Sequence, residues 1–485
     1  MFLGIDIGTS GVKAVALDEA GVVVGQGTAA LTVQRPHPLW SEQDPDAWWL
    51  ATTAAVQAID PAVRRSVRGI GVAGQMHGAT LLGDDDRSLR PAILWNDGRS
   101  AAQCAALEAA ADFRGIGGNI VMPGFTAPKL AWVRDHEPDV FAQVKTVLLP
   151  KDYVRLRMTG DKASDLSDSA GTLWLDVAGR RWSETLLAAT GLTEAQMPRL
   201  YEGTQPTGRL RAEVADAWGM PCVPVAAGGS DNAAGAAGVG VVRDGDALLS
   251  LGTSGVIFVA TKEFRSNPAG AVHAFCHCLP GLWHQMSVHL SAASCIDWVA
   301  RITGAAGAAD LFARAELAGP ASGPELFLPY LSGERTPHND PLVRGAFLHL
   351  DNETTPERLA QSVLEGVAFA LADGLSALKD AGTRVDKLAV IGGGARSGYW
   401  GRIIAAALDT PLVYLKGGEV GPALGGARLA QVAVDGGDPA EVCTAPPVSH
   451  VVDPEPELVD RLAAKAALFR AAYPQITSQT PKKGS

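Results

Sequence analysis

Residues 2–18, FLGIDIGTSGVKAVALD, decide how this chain is read, and residues 248–261, LLSLGTSGVIFVAT, decide it a second time. Each copy is an apolar run, a Gly-Thr-Ser-Gly turn and a second apolar run, which predicts strand, tight turn and strand. Glycines stand where backbone must approach something closely, and the hydroxyls can donate. Such a turn aims successive N–H groups outward as a concavity suited to anionic oxygens. One copy alone reads equally well as an ordinary glycine-containing hairpin. Two copies half a chain apart are what two domains of common design produce, and two such turns facing across a cleft can grip one polyphosphate from both sides. The copies differ at one telling position: Asp6 in the first stands where Ser250 does in the second. A carboxylate there repels phosphate unless a Mg²⁺ intervenes, so the first copy is expected to bring the acid for the metal.

The bulk composition bounds this picture. At 485 residues, 47% hydrophobic and 19% charged, the chain suits two large soluble domains. A net charge of −11 argues against a nucleic-acid partner, which needs a basic face. It leaves room for a nucleotide held by backbone amides and one metal ion. No apolar stretch approaches the ~20 residues that span a bilayer, so no membrane partner is expected. No basic-then-apolar leader opens the chain and the six cysteines are scattered, which together predict a cytoplasmic protein. Cys276 and Cys278 stand among His273, His277 and His284, a grouping that raises a metal site. Strand alternation puts the two cysteines on one face and His273 and His277 on the other, so a half-buried structural strand is the preferred reading.

Further motifs carry chemistry. In VRGIGVAGQMHGATLL (67–82) an apolar strand ends in Gln75-Met76-His77-Gly78, where a histidine among small residues meets either a polar ligand or a local loop partner. Asp97 and Arg99, in RPAILWNDGRS (90–100), read as an internal ion pair rather than a substrate contact. In VPVAAGGSDNAAGAAGVGVV (223–242) a strand runs into Asp231-Asn232 and then a helix of small residues. Asp231 is thereby either an N-cap, worth about 1 kcal/mol, or a general base at a strand-to-helix junction with Asn232 as its hydrogen-bonding partner. KLAVIGGGARSGYWGRIIAAAL (387–408) reads as a strand, a triple-glycine turn and a helix, whose glycines at the helix start let a flat ring or a phosphate lie on backbone. YLKGGEVGPALGGARLAQVA (414–433) has a similar small-residue helix and is expected to form the opposite wall.

Taken together and in order, these stretches resemble the FGGY family of carbohydrate kinases. GIDIGTSGVK (4–13) is similar to the family's first phosphate loop, SLGTSGV (250–256) to its second and IGGGARS (391–397) to its adenine-side loop. GFTAPKLAWVRD (124–135) fits a family signature with a Thr, a Lys and a Trp at fixed spacing. RPHPLWSEQDPDAWW (35–49), LLPKDYVRLRMTG (148–160) and FLPYLSGERTPHND (327–340) narrow the likeness to members acting on D-xylulose, over essentially residues 1–473.

The resemblance implies an α/β fold of two actin-like, ribonuclease-H-like ATPase domains flanking a deep cleft. Residues 1–243 would bind sugar and carry the first phosphate loop. Residues 244–473 would carry the second loop and the adenine site, and 474–485 would form a disordered tail. The implied partners are D-xylulose and ATP with Mg²⁺, and the likeness allows a homodimer. By the same resemblance Met76, His77, Asp231 and Asn232 contact the sugar, and Asp231 is the catalytic base. Asp6 organises Mg²⁺. The nucleotide falls to Gly8, Thr9, Ser10, Gly11, Lys13, Gly252, Thr253, Ser254, Gly393, Gly394 and Ala395. A kinase for L-ribulose, glycerol or gluconate is the alternative within the family. An actin- or chaperone-like nucleotide switch is the alternative outside it, disfavoured by Asp231 beside Asn232. Ser230 and His349 depart from the family pattern, each standing where glycine is usual. Ser230 is expected to be tolerated as a small residue, and His349 to alter a loop.

Overall fold

In the computed structural model the first hairpin forms β1 (Phe2–Ile7) and β2 (Gly11–Leu17), continued by β3 (Val23–Ala30). The structure describes residues 1–416 and 421–477, apart from the side chain of Ala395. β4 (Gly69–Gly74) lies parallel to β1, and β5 (Pro206–Arg209), β6 (Pro224–Ala226) and β7 (Gly229–Ser230) complete the sheet. Its order is β5-β6-β4-β1-β2-β3, with β7 paired to β4. β4 reads GIGVAG and is buried throughout, as befits a parallel strand covered on both faces.

The second hairpin begins a sheet of the same design. It comprises β8 (Ala247–Leu251), β9 (Gly255–Thr261), β10 (His273–Cys276), β11 (Trp283–His289), β12 (Leu388–Ile391), β13 (Leu412–Leu415) and β14 (Val448–Val452). The order β10-β11-β9-β8-β12-β13-β14 repeats the first sheet strand for strand, with β10 added at one edge. Antiparallel pairs meet antiparallel and parallel meet parallel: β1–β4 and β8–β12 are the parallel centres. The duplicated turn therefore does mark two α/β halves of ribonuclease-H-like plan. Among the described residues no helix is long and apolar enough to cross a membrane.

One helix does not follow the order of the chain. Pro422–Asp435 comes late in sequence yet packs on β1 and β4 of the first sheet and on the helix Asp231–Gly238. The approach is backbone to backbone. A Cβ on Gly71 would fall 1.9 Å from the Gly426 carbonyl oxygen, and one on Gly425 would fall 1.8 Å from that of Ala234. Only glycine permits such contact. Arg428 reinforces it, donating from Nη1 to the Gly238 carbonyl at 3.2 Å.

Four local expectations change. The Gly-Thr-Ser-Gly copies are not superimposable hairpins: Ile7 pairs with Val12 in the first, whereas Leu251 pairs with Gly255 in the second. Different neighbours hold them, since Gln43 donates to the Thr9 carbonyl while the helix Ala293–Thr303 turns its first N–H groups to those of Gly252 and Thr253. β10 is buried on both faces rather than half-buried, because Asn119 from the first half bonds both the N–H and the carbonyl of Ala274. The triple glycine does not open a helix. It leads into a 3₁₀ turn, Gly393–Arg396, and the helix Gly398–Leu408 starts afterwards with Ser397 as its cap. Finally, the last helix, Pro456–Thr477, carries regular structure past residue 474, and residues 478–485 lie outside the described residues.

Candidate active site

The sheet register builds the site. Ile7 pairs with Gly74 across β1 and β4, and Ser230 pairs with the same Gly74 across β7 and β4. Three parallel strands thus end in one row, and the carboxyl ends of parallel strands are where α/β sheets bind ligands. Asp6 sits one residue before the end of β1, and Asp231 one residue after the end of β7. In the second half, β8 and β12 end side by side in the same way, bringing the turn at Gly252–Ser254 beside Gly393 and Gly394. Ala395 lies in that 3₁₀ turn, with its side chain outside the described residues; Gly417–Val420, in the wall expected opposite, lie outside them as well.

Asp231 is the first residue of the helix Asp231–Gly238 but does not cap it. Ser230 does, its Oγ accepting from the Ala233 N–H at 3.4 Å. The serine that departs from the family pattern thus takes the capping task and leaves the Asp231 carboxylate free of it. Asn232 donates to Asp231 Oδ1 twice, from its backbone N at 2.7 Å and from Nδ2 at 2.9 Å. Burial pushes the Asp231 carboxyl up to about 6, against the lowering effect of those two bonds. Asp6 is raised to about 7, chiefly by burial and then by the charge of Asp231, while Lys13 pulls it down. Lys13 is its cross-strand partner in the hairpin. Asp6 Oδ1 is buried and accepts no hydrogen bond. A hard, oxygen-bound cation would satisfy that oxygen, so the residue present fits a Mg²⁺ site.

His77 stands in the left-handed region with φ 70°. Two residues of the Thr-Lys-Trp signature explain how: Lys129 Nζ donates to the His77 carbonyl at 2.8 Å, and Thr126 Oγ1 to the same oxygen at 3.2 Å. Lys129 also reaches the Gly124 carbonyl, and it is fully buried. The His77 ring is held neutral by burial and by Lys129, its pKa down at about 3. Nδ1 lies 2.7 Å from the Gly171 carbonyl and must donate to it, which leaves Nε2 as an acceptor. Met76 lies beneath, only 4% exposed.

Around the first turn, Ser10 is exposed and Gly8 closes on Gly11 through an N–H···O bond of 3.0 Å. Thr9 differs from expectation. Its hydroxyl donates to Gln75 Oε1 at 2.9 Å and accepts from Trp95 Nε1 at 3.0 Å, so its proton is not free for a phosphate. Gln43 ties the Thr9 carbonyl and Gln75 together, and Trp48 Nε1 donates to Gln43 in turn. Sequence reasoning missed this brace, although Gln43, Trp48, Gln75 and Trp95 all lie in the quoted motifs. In the second turn Thr253 and Ser254 are exposed. Asp97 and Arg99 form the expected ion pair at 2.7 Å, shared with Glu42, and the Arg99 guanidinium lies over Trp40. His349 has φ 61° on the surface, which is the physical reason glycine is usual there. Cys276 Sγ faces the Val177 carbonyl and Cys278 Sγ the Ala233 carbonyl.

Comparison with known proteins gives a consistent result. The sequence model for the N-terminal domain of the FGGY family of carbohydrate kinases matches residues 1–238, and that for its C-terminal domain residues 247–434. The chain is 57% identical over 437 residues to the xylulose kinase of Escherichia coli K12, covering 90% of each. It is 53% identical over 479 residues to that of Klebsiella pneumoniae, covering 98% of this chain and 99% of that one. A solved structure described as a "xyloylose kinase" from Brucella ovis superimposes with a TM-score of 0.96 at 51% identity, over 99% of both chains.

Proposed function

Since the chain belongs to the FGGY family of carbohydrate kinases, we propose that it transfers the γ-phosphoryl group of ATP to the 5-hydroxyl of D-xylulose, with Asp231 as general base. One observation carries the catalytic part: a half-buried carboxylate with a pKa of about 6, freed from helix capping by its neighbour, at the carboxyl ends of parallel strands. The choice of sugar rests on relatives 57% and 53% identical that are named for xylulose.

The sugar lies against Met76 and His77, with His77 Nε2 accepting from one of its hydroxyls and Asn232 holding Asp231 in place. Asp231 takes the 5-hydroxyl proton as that oxygen attacks the γ-phosphorus in line, and ADP departs. N–H groups within Thr9–Gly11 and Thr253–Ser254 receive the phosphate oxygens, Gly8 and Gly252 spending theirs on closing the two turns, while Gly393, Gly394 and Ala395 back the adenine. Asp6 would hold Mg²⁺, with Lys13 beside it; the ion when bound neutralises phosphate charge. Alignment and charge neutralisation thus account for most of the acceleration. This reading includes a cytoplasmic location, in keeping with six free cysteines, and a homodimer, which sedimentation would test.

ADP release from Mg-ATP, measured with D-xylulose, L-ribulose, glycerol, D-gluconate and no sugar, tests the whole. A large response to D-xylulose alone is expected. A selective response to another sugar moves the substrate assignment, and hydrolysis independent of sugar overturns the reading. Lys129→Met should raise the KM for D-xylulose about tenfold, because the Lys129 hydrogen bond that sets the His77 carbonyl is lost and only that of Thr126 remains. The KM for ATP should stay as it is, and steady-state kinetics in both substrates reads the split.

A further inference from the structure

Behind the Asp231 helix lies a group of buried charges that the transfer step does not use. Lys151, Asp152, Arg155, Asp165 and Asp168 are each at most 1% exposed. Lys151 Nζ stands 2.6 Å from Asp152 Oδ1, 2.8 Å from Asp165 Oδ1 and 3.5 Å from Asp168 Oδ2. Neither oxygen of Asp168 takes part in a hydrogen bond, and burial pushes its carboxyl well above the usual carboxylate range. Arg155 joins the group through Asp152 Oδ1 at 3.1 Å. Buried ion pairs of this kind add little to stability over an apolar replacement, which raises the question of what the cluster holds in place.

It ends in a chain of hydrogen bonds that leads to the base. Asp165 Oδ2 accepts from the Ser167 N–H at 2.7 Å and also from the Ser167 hydroxyl. Ser167 Oγ in turn accepts from the Ser230 N–H at 3.0 Å, a contact between residues 63 apart in sequence. Ser230 is the residue that caps the Asp231 helix. The chain therefore runs from the Lys151 ammonium through Asp165 and Ser167 to the N–H of Ser230, the residue before Asp231. The same segment reaches the other wall of the sugar site. The helix Leu166–Ala170 leads directly to Gly171, whose carbonyl receives His77 Nδ1. One short helix thus bonds both the base's strand and the histidine. Local capping explains the bond from the Ser167 N–H to Asp165, but not the hydroxyl's reach to Ser230.

We propose that Ser167 is a positioning residue for Asp231: anchored by Asp165 and Lys151, it fixes the end of the strand that leads into the base relative to His77. The inference rests on the reading of Asp231 as general base. Ser167→Ala leaves the Ser230 N–H buried without its partner and lets the base drift. Displacements of about 1 Å in such sites cost up to ~10²-fold in rate.

The test is a double-mutant cycle on kcat with D-xylulose and ATP saturating. Ser167→Ala is expected to lower kcat about tenfold in the parent with the KM for ATP unchanged, and to leave the residual kcat of Asp231→Asn within about twofold. Ser167→Thr, which keeps the hydroxyl, should restore most of the loss. An equal fractional loss in both backgrounds overturns the proposal, as does parental kcat in Ser167→Ala, while Asp231 remains the base. Near-parental turnover in Asp231→Asn alone removes the base reading and this proposal with it. Ser167→Cys, close in volume and a poor acceptor, carries the same comparison should the alanine variant not fold.

Discussion

Asp231→Ala is expected to turn over D-xylulose about 10²–10⁴-fold more slowly than the parent protein, with ATP binding intact. That range is what a positioned base contributes, and the geometry removes the usual competing explanation. A helix cap lost to alanine costs roughly 1 kcal/mol of stability, yet here the cap belongs to Ser230. The loss should therefore appear in kcat, with the melting temperature little changed and the ATP dissociation constant, read by calorimetry, held. The pH dependence carries the same signature. Below about 6 the carboxyl is increasingly protonated and cannot accept the sugar's proton. With Mg-ATP saturating, the parent's kcat/KM for D-xylulose should fall tenfold per pH unit on that side and level off above it, and the limb should vanish in Asp231→Ala. Near-parental turnover in the variant would reduce Asp231 to a structural residue.

Asp6→Ala should lose turnover on the order of 10²–10³-fold, the scale of removing an electrostatic partner in such a site. Its second signature needs no turnover. With a pKa of about 7, the parent's Asp6 is substantially protonated at neutral pH, and a cation must displace that proton. Mg-ATP binding should then release a proton in the parent, measurable by calorimetry in buffers of different ionisation enthalpy, and should weaken as pH falls through about 7. Asp6→Ala should show neither effect; unchanged proton release would end the assignment. Stability follows with a defined sign. A carboxyl raised from 3.8 to about 7 in the folded state binds more protons there than when unfolded. The parent should lose stability as pH rises from about 4 to about 7, and Asp6→Ala should lose less, keeping only the share that Asp231 contributes between about 4 and about 6.

Much of this was legible in the sequence because its signals are local. The two turns, the acid in only one of them and the strand-to-helix junction at Asp231 are each written within a dozen residues. What escaped depends on partners distant in the chain. The Thr9 hydroxyl is taken up by Gln75 and Trp95, and no pattern around residue 9 announces them. The cap at Ser230 and its N–H bond to Ser167 required the register of β7 on β4, which spacing alone does not give. Identical turns took different registers because pairing is settled by neighbours as well as by the turn. His349 showed the reverse: the departure was visible, and only the backbone angle supplied its reason.

The helix Pro422–Asp435 has a consequence for anyone who would divide the molecule. Its Ala423, Leu424, Ala427 and Ala430 close over Phe2, Val15 and Leu17 in one apolar cluster. A gene fragment ending near residue 243 would make a first sheet with that flank bare, and its product should be insoluble by itself. Supplied together, the two fragments carry every piece of that seam and should reassemble, which makes the seam a natural place for a split reporter.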